Sequence, residues 1–245
     1  MASTHALKKS WGKWNLMAIA TIAAVPILAA TGCGSGSSES FTAILWVDFV
    51  QFGGITYVRL HPDREPPMEE GDLGPEFARV AFKYKGNVFD PSYQTNNGKD
   101  GDAGYLDPGT PVFAVKGYKP EFLLAARSVG ELVLYVSDTN PSARTGADLL
   151  DIGGKVRYVG VNSPVDGSEL AAIRDPSQVE TLVAMVLVAP VDQTRRDQDG
   201  PRYFIAFHLD DGTTLVRAHR LESGELSRGI MLPREFRNAI EEALP

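Results

Sequence analysis

The sequence predicts a mainly β N-terminal module, sandwich-like or barrel-like, followed by an α+β two-layer module. Residues 44–137 contain about six short runs of aromatic and β-branched residues, and turn residues separate these runs. Residues 151–245 mix similar runs with patterns typical of amphipathic helices. The chain of 245 residues contains 16 prolines and 24 glycines, which favours short strands joined by turns.

The first predicted hairpin joins strands at 44–52 and 55–60, because Gly53-Gly54 between them is a two-residue hairpin signal. Further strands of this module are predicted at 77–84, 111–118, 122–127 and 132–136, the last two joined at Val129-Gly130-Glu131. Two long connections, 61–75 and 86–110, interrupt the module. Connections of this length without secondary structure are usually functional or mobile.

The composition changes over residues 138–150, and we interpret this segment as a linker before the second module, 151–245. A helix is expected to begin at Asp175-Pro176, with aspartate as the N-cap and proline as the first helical residue. The other elements predicted in this module are strands at 155–161, 203–209, 213–220 and 226–232, and a last helix that Pro233 opens.

The histidines after the N-terminal segment are His61, His208 and His219. If Asp211-Gly212 forms a two-residue turn, His208 and His219 share the more polar face of a hairpin, about four strand positions apart. That spacing is too large for one metal ion, so a solvated strand face is the favoured interpretation. With only one cysteine in the chain, a zinc site is disfavoured too.

The N-terminal segment predicts export. It carries Lys8, Lys9 and Lys13 without an acidic residue, and an apolar run follows at 16–30. Small residues then lead to Cys33, the single cysteine of the chain. A basic region, a short apolar region and a small-residue cleavage zone form a signal peptide. The apolar run is shorter than the roughly 20 residues that a spanning helix needs.

Residues Ala30-Thr31-Gly32-Cys33 resemble the lipobox of bacterial lipoproteins, although the usual leucine at the first position is absent. The resemblance implies that 1–32 is removed as a lipoprotein signal peptide. It also implies that Cys33 receives diacylglycerol and a further acyl chain such as palmitate. Residues 33–43 would then be the lipid anchor and a flexible tether. We therefore expect an extracytoplasmic protein held on the cell membrane through this lipid.

The folded part resembles uncharacterised lipoproteins of Gram-positive bacteria, in the stretch 109–127 and in the pattern of 155–245. This resemblance carries no known activity to any residue. The favoured function is a non-enzymatic binding or accessory module of the cell envelope, with a protein or a cell-wall polymer as partner. The alternatives are an extracytoplasmic hydrolase whose site is assembled only in the fold, and a mainly structural envelope protein.

The net charge excludes some partners. The chain carries −7, and removal of 1–32 takes away three lysines and no acid, so the mature charge is −7 − 3 = −10. Such a chain repels the phosphates of nucleic acids and of anionic bilayers. Nucleic acid is therefore not expected as a partner, and membrane attachment depends on the lipid.

No catalytic residue emerges from the sequence, since it contains neither a Gly-x-Ser-x-Gly elbow nor a phosphate-binding glycine loop. No cofactor is expected, apart from the calcium that a loosely matching loop suggests. Its candidate ligands are Asn96, Asp100, Asp102 and Asp107. The favoured interpretation of this loop is a series of turns. Its aromatic residues Tyr93 and Tyr105 are the candidates for contact with a glycan or a protein.

Overall fold

The computed structural model describes residues 47–84, 99–194 and 200–245. They belong to one compact unit, 44–245. Within these described ranges the chain forms two β-sheets and two α-helices. None of the helices in the described residues is both long and apolar enough to cross a membrane.

The first sheet is curled and has eight strands. In chain order these are β1 Phe49–Phe52, β2 Ile55–Arg59, β3 Leu73–Arg79, β4 Phe82–Lys83, β5 Asp102–Ala103, β6 Pro111–Val115, β7 Leu123–Ser128 and β8 Glu131–Thr139. Their spatial order is β3-β6-β7-β8-β2-β1-β5-β4, and every pair is antiparallel except β4 with β5. The prediction of a mainly β N-terminal module is confirmed.

The strand predicted at 77–84 is two strands in the structure. β3 already begins at Leu73, and β4 begins at Phe82 after a break. At the break, the backbone N–H groups of Ala81 and Phe82 donate to the carbonyl of Gly101, at 2.7 and 3.2 Å. Because Gly101 directly precedes β5, this contact places β5 beside β4. β5 lies in 86–110, the connection predicted to have no secondary structure. β5 pairs with β1 on one side and with β4 on the other.

The hairpin predicted at Gly53-Gly54 is confirmed. Phe52 pairs with Ile55, so the two glycines are the whole turn. Both have positive φ, +58° and +74°. A turn of this kind suits the twist of the two strands and needs positive φ at both central residues.

The hairpin between β7 and β8 uses the same turn with a less suitable residue. Ser128 pairs with Glu131, so the turn is Val129-Gly130 alone, one residue shorter than predicted. Val129 has φ +52° and is fully exposed. A β-branched residue is strained in this conformation, and no packing of the side chain offsets the strain.

Replacing Val129 by asparagine is expected to raise the free energy of unfolding by about 1 kcal/mol, because asparagine tolerates positive φ. For a domain of this size, the midpoint of thermal unfolding should rise by about 2–4 °C. Thermal denaturation followed by circular dichroism measures it. Val165→Asn is the control, since Val165 is also exposed but lacks positive φ. Equal shifts in both variants would contradict the strain argument.

The second sheet has six antiparallel strands in the order β10-β9-β11-β12-β13-β14. Their bounds are β9 Val156–Asn162, β10 Glu169–Ile173, β11 Arg202–Leu209, β12 Thr214–Arg220, β13 Glu225–Leu226 and β14 Ile230–Met231. The helices are α1 Pro176–Val188 and α2 Arg234–Ala243. The prediction of an α+β module is confirmed, although β10 is not among the predicted strands.

The predicted start of α1 is confirmed. The carboxylate of Asp175 accepts hydrogen bonds from the backbone N–H groups of Ser177 and Gln178, at 3.1 and 3.0 Å. Pro176 is the first helical residue. The cap satisfies two donors that the first turn of a helix leaves without a partner, so the helix begins here.

The predicted register of the β11–β12 hairpin is wrong by one residue. The turn has three residues, Asp210, Asp211 and Gly212, and Leu209 N–H donates to Thr213 O at 2.8 Å. The Asp211 carboxylate accepts from Thr213 N–H at 2.8 Å, and Gly212 has φ +95°. The extra residue shifts β12 by one position, so it exchanges the two faces of the strand.

One hydrophobic cluster joins the two sheets and both helices. Leu134 of β8, Phe207 of β11, Leu182 of α1 and Phe236 of α2 all belong to it. The segment 138–150, predicted as a linker, contributes buried side chains to this cluster, namely Ala143, Leu149 and Leu150. A second cluster lies on the other face of the first sheet, because successive residues of a strand point to opposite faces. The sheets therefore pack as parts of one unit.

Candidate functional site

A pocket of about 350 Å³ lies where side chains from both sheets meet. Three arginines line it, and we call it the arginine pocket. Arg64 belongs to a short 3₁₀ turn after β2, Arg217 to β12, and Arg228 to the turn between β13 and β14. Asp138, near the end of β8, also lines the pocket.

Arg228 has a strained backbone conformation, and an ion pair holds its side chain in place. Its φ is +65°, a conformation that costs a residue other than glycine about 1 kcal/mol or more. Its Nη2 and Nε lie 2.7 and 3.0 Å from the Oδ1 atom of Asp138. Strained residues of this kind concentrate at functional sites, so the conformation supports a role for this pocket.

Arg217 donates hydrogen bonds to neutral carbonyl groups instead of a carboxylate. Its Nη1 bonds to Val216 O and its Nη2 to Ser137 O, both at 3.2 Å. Burial lowers the pKa of its guanidinium, and the charges of Arg228 and Arg64 lower it further. Asp138 acts in the opposite direction. Arg217 is therefore close enough to Arg228 and to Arg64 to be repelled by both.

Arg64 is exposed, and its guanidinium has no ion pair or hydrogen bond with any of the described residues. The described residues that line the pocket thus include three guanidinium groups and a single carboxylate. That carboxylate, Asp138, is already paired with Arg228. An excess of positive charge in a concave surface attracts anions. The excess is notable in a chain whose net charge is −7.

Part of the lining of the pocket is apolar. Phe204, Val216 and Ala218 contribute to it, and all three are half-buried. They lie on neighbouring strands, since Phe204 of β11 pairs with Ala218 of β12. The hydroxyl of Ser227 also lines the pocket, and it donates to Ala218 O at 3.2 Å. The lining of the pocket thus includes both cationic and apolar residues.

His208 lies in a polar cluster beside the arginine pocket. It faces Thr214, whose Oγ1 is 3.1 Å from the imidazole Nδ1. Its Nε2, Glu169 Oε2 and Asn162 Oδ1 all come within 3.3 Å of the position where a Cβ on Gly160 would lie. Asn162 belongs to the pocket lining as well. Burial lowers the pKa of His208, so the neutral imidazole is favoured.

The register change separates His208 from His219, which the sequence placed on one face. His219 pairs with Tyr203 and is fully buried against the ring of Phe236, with ring centroids 5.4 Å apart. Burial lowers its pKa. His61 is exposed and accepts a hydrogen bond from Asp63 N–H in its own turn. The prediction of two solvated histidines on a polar strand face is therefore wrong.

The described calcium candidates have separate roles. Asp100 accepts from Gly54 N–H at 3.1 Å, and Asp107 pairs with Lys83 at 2.7 Å. Asp102 is buried and accepts from Lys99 N–H at 2.6 Å. Asn96 lies outside the described residues. Nowhere in the described ranges do three or more His, Cys, Asp or Glu side chains form a group that could hold a metal ion.

Of the two tyrosines predicted to contact a ligand, only Tyr105 belongs to the described residues. Tyr105 is half-buried. Tyr93, the lipobox residues and Cys33 lie outside the described residues. The contact role of the two tyrosines therefore stays a prediction.

The arginine pocket was not predictable from the sequence, because its residues are far apart in the chain. Two local signals point to it. Arg217 stands between Leu215 and His219, at a position where the strand otherwise presents buried residues. Arg228 precedes Gly229 in a turn, which is a sequence typical of positive φ. Comparisons with protein-family models, with curated protein sequences and with solved structures found no match to this chain.

Proposed function

We propose that this protein is a lipid-anchored, extracytoplasmic, non-enzymatic binding module of the cell envelope. The basic, apolar and small-residue segments before Cys33 support the anchor. The arginine pocket supports binding, because a concave site with a few polar groups and apolar lining residues is typical of ligand sites. The ligand comes from a protein, from a cell-wall polymer or from the pool of small molecules.

The chemistry of the pocket supports binding rather than catalysis. Arginine keeps its proton at neutral pH, so the three guanidinium groups do not act as general acids or bases. The Asp138 carboxylate is engaged by Arg228, and the Ser227 hydroxyl by the backbone of Ala218. The residues that line the pocket are suited to holding a ligand in place.

The anchor is tested by the intact mass of the full-length protein extracted from membranes of its host. We expect a chain that begins at Cys33 and carries diacylglyceryl and acyl groups. Cys33→Ala should lose this mass and the membrane attachment, because the thiol is the acceptor of the lipid. Ser35→Ala, two residues further along the tether, is the matched control and should keep both.

An uncleaved or unlipidated wild-type chain would overturn the lipid anchor. In that case Cys33 would be a free thiol in an exported protein, and its reactivity would need an explanation of its own. Ligand binding by the folded unit would not be affected by that result.

The alternative is an extracytoplasmic hydrolase, and one observation favours it. The Thr214 hydroxyl contacts Nδ1 of His208, and Nε2 of the same imidazole and the Glu169 carboxylate both lie beside Gly160. A hydroxyl, an imidazole and a carboxylate are the groups that nucleophilic hydrolases use. Release of p-nitrophenol from a p-nitrophenyl ester, lost in His208→Gln, would favour the hydrolase over the binding module.

A further inference from the structure

We infer that the arginine pocket binds a small organic anion, a carboxylate or a phosphate monoester that carries an apolar group. This inference rests on the proposed binding role and names the ligand class. Neither the sequence motifs nor the anchor indicates this class. The charge, the hydrogen-bond donors and the shape of the pocket support an organic anion.

The charge balance favours an anion. Arg64, Arg217 and Arg228 line the pocket against the single carboxylate of Asp138, and Arg228 pairs with it. For the other two arginines, Arg64 and Arg217, no carboxylate of the described residues lies within 4.0 Å of the guanidinium. A bound anion would relieve the repulsion between them, whereas a cationic ligand would add to it.

The donors suit an anion with two or more oxygens. Arg217 uses Nη1 and Nη2 for carbonyl groups, which leaves part of its five N–H donors for a ligand. The guanidinium of Arg64 forms no hydrogen bond or ion pair with the described residues, so all of its N–H groups can bind a ligand. Planar guanidinium groups match the spacing of carboxylate and phosphate oxygens, which lysine does not. All three cations of the lining are arginines.

The apolar part of the lining indicates that the ligand also carries an apolar group. Phe204 presents an aromatic ring, and Val216 and Ala218 extend the same surface. An inorganic anion would leave this surface in contact with water, whereas an aromatic or aliphatic group would cover it. The volume of about 350 Å³ is at the lower end of ligand pockets, which indicates a small molecule or a single terminal group of a larger one.

The inference is tested by isothermal titration of the full-length lipidated protein in non-ionic detergent. The probes are phenyl phosphate and benzoate, with benzylamine as a cation of similar shape and inorganic phosphate as an anion without an apolar group. We expect both organic anions to bind, inorganic phosphate to bind more weakly, and benzylamine not to bind.

Variants of the lining residues test whether the probes bind in the arginine pocket. Arg64→Gln and Arg217→Gln should each weaken phenyl phosphate binding by about tenfold, since each removes a charged hydrogen-bond donor. Arg64 is exposed, so its variant keeps the fold even if Arg217→Gln does not. Phe204→Ala should weaken phenyl phosphate and leave inorganic phosphate unchanged. Arg79→Gln, an exposed arginine of β3, is the matched control and should bind as the wild type does.

The outcomes separate the ligand class from the binding role. If benzylamine binds and Phe204→Ala abolishes it, the pocket is a binding site but the anion inference is overturned. If organic anions bind equally well to Arg64→Gln and to the wild type, the inference is overturned too. If no probe binds, the inference of a site for a small organic anion is overturned, whereas the proposed binding of a protein or a cell-wall polymer is not.

A last arm identifies the source of the anion. Phosphatidylglycerol nanodiscs that compete with phenyl phosphate would show that the site takes a lipid headgroup. Absence of competition, with phenyl phosphate still bound, would show that it takes a free small molecule or a terminal group of a polymer. Both results support an organic anion.

Discussion

Replacing Glu225 by alanine is expected to lower the free energy of unfolding by about 3–5 kcal/mol. Glu225 and Arg220 form an ion pair whose side chains are only 1% and 7% exposed, with 3.5 Å between Oε1 and Nη1. The same carboxylate accepts a hydrogen bond from Gly229 N–H at 3.1 Å. Without it, the buried guanidinium of Arg220 loses the carboxylate of Glu225, and a buried amide loses its acceptor.

Thermal unfolding of the full-length protein measures this effect, and the midpoint should fall by about 10 °C. The control is Glu241→Ala, which removes the same charge from the exposed pair of Arg237 and Glu241. Exposed pairs within one helix contribute only about 0.3–0.5 kcal/mol, so the control should shift the midpoint by little more than about 1 °C. Equal losses of stability in the two variants would show that burial does not make the Arg220–Glu225 pair more stabilising than an exposed pair.

Replacing Gly146 by alanine is expected to cost at least about 3 kcal/mol, because the new methyl group would overlap the carbonyl oxygen of Val186. The close approach is part of the fold. Gly146 opens a short 3₁₀ turn that packs against the end of α1, and its N–H donates to Ala189 O at 2.9 Å. Its φ is not positive, so the cost comes from space alone.

Chemical denaturation of Gly146→Ala and of a matched glycine variant separates this effect from the general effect of losing a glycine. Gly71→Ala is the match, since a Cβ at Gly71 would meet nothing within 4 Å and its φ is also not positive. Gly71→Ala should leave stability unchanged or raise it slightly, by reducing the freedom of the unfolded chain. A stable Gly146→Ala would mean that the 3₁₀ turn can move away from α1 at little cost.

Local chemistry explains which parts of the fold were predictable. Gly53-Gly54 specifies its turn because both positions need positive φ, and Asp175 begins α1 because its carboxylate caps the first turn. Each of these features depends on a few neighbouring residues. The sequence pattern shows them directly, and the structure confirms them.

Pairing between distant strands could not be predicted in the same way. β5 has two residues, and the strands on both sides of it define it as a strand. The β11–β12 register depended on whether Asp210 belonged to the strand or to the turn. The Asp211 carboxylate, which accepts from Thr213 N–H, favours the longer turn. A single residue in that turn decides which face of β12 each side chain occupies.

The candidate site depends still more on tertiary structure. Arg64, Asp138, Arg217 and Arg228 have no periodic relation in the sequence, and no motif connects them. The packing of the two sheets on a shared core brings the end of β8 beside β12. The predicted calcium loop shows the reverse case, because side chains close in sequence form separate contacts in the structure.

The sequence by itself determined the classes of the two sheet-forming regions, the Gly53-Gly54 turn and the start of α1, because these follow from interactions over a few residues. It also predicts the export signal and the lipid anchor at Cys33, which the N-terminal residues carry alone. Only the tertiary structure decided that both regions share one core, that His219 is buried, and that three arginines line one pocket. The physical reason is that burial and electrostatic contact depend on distance in space, which strand pairing and sheet packing establish.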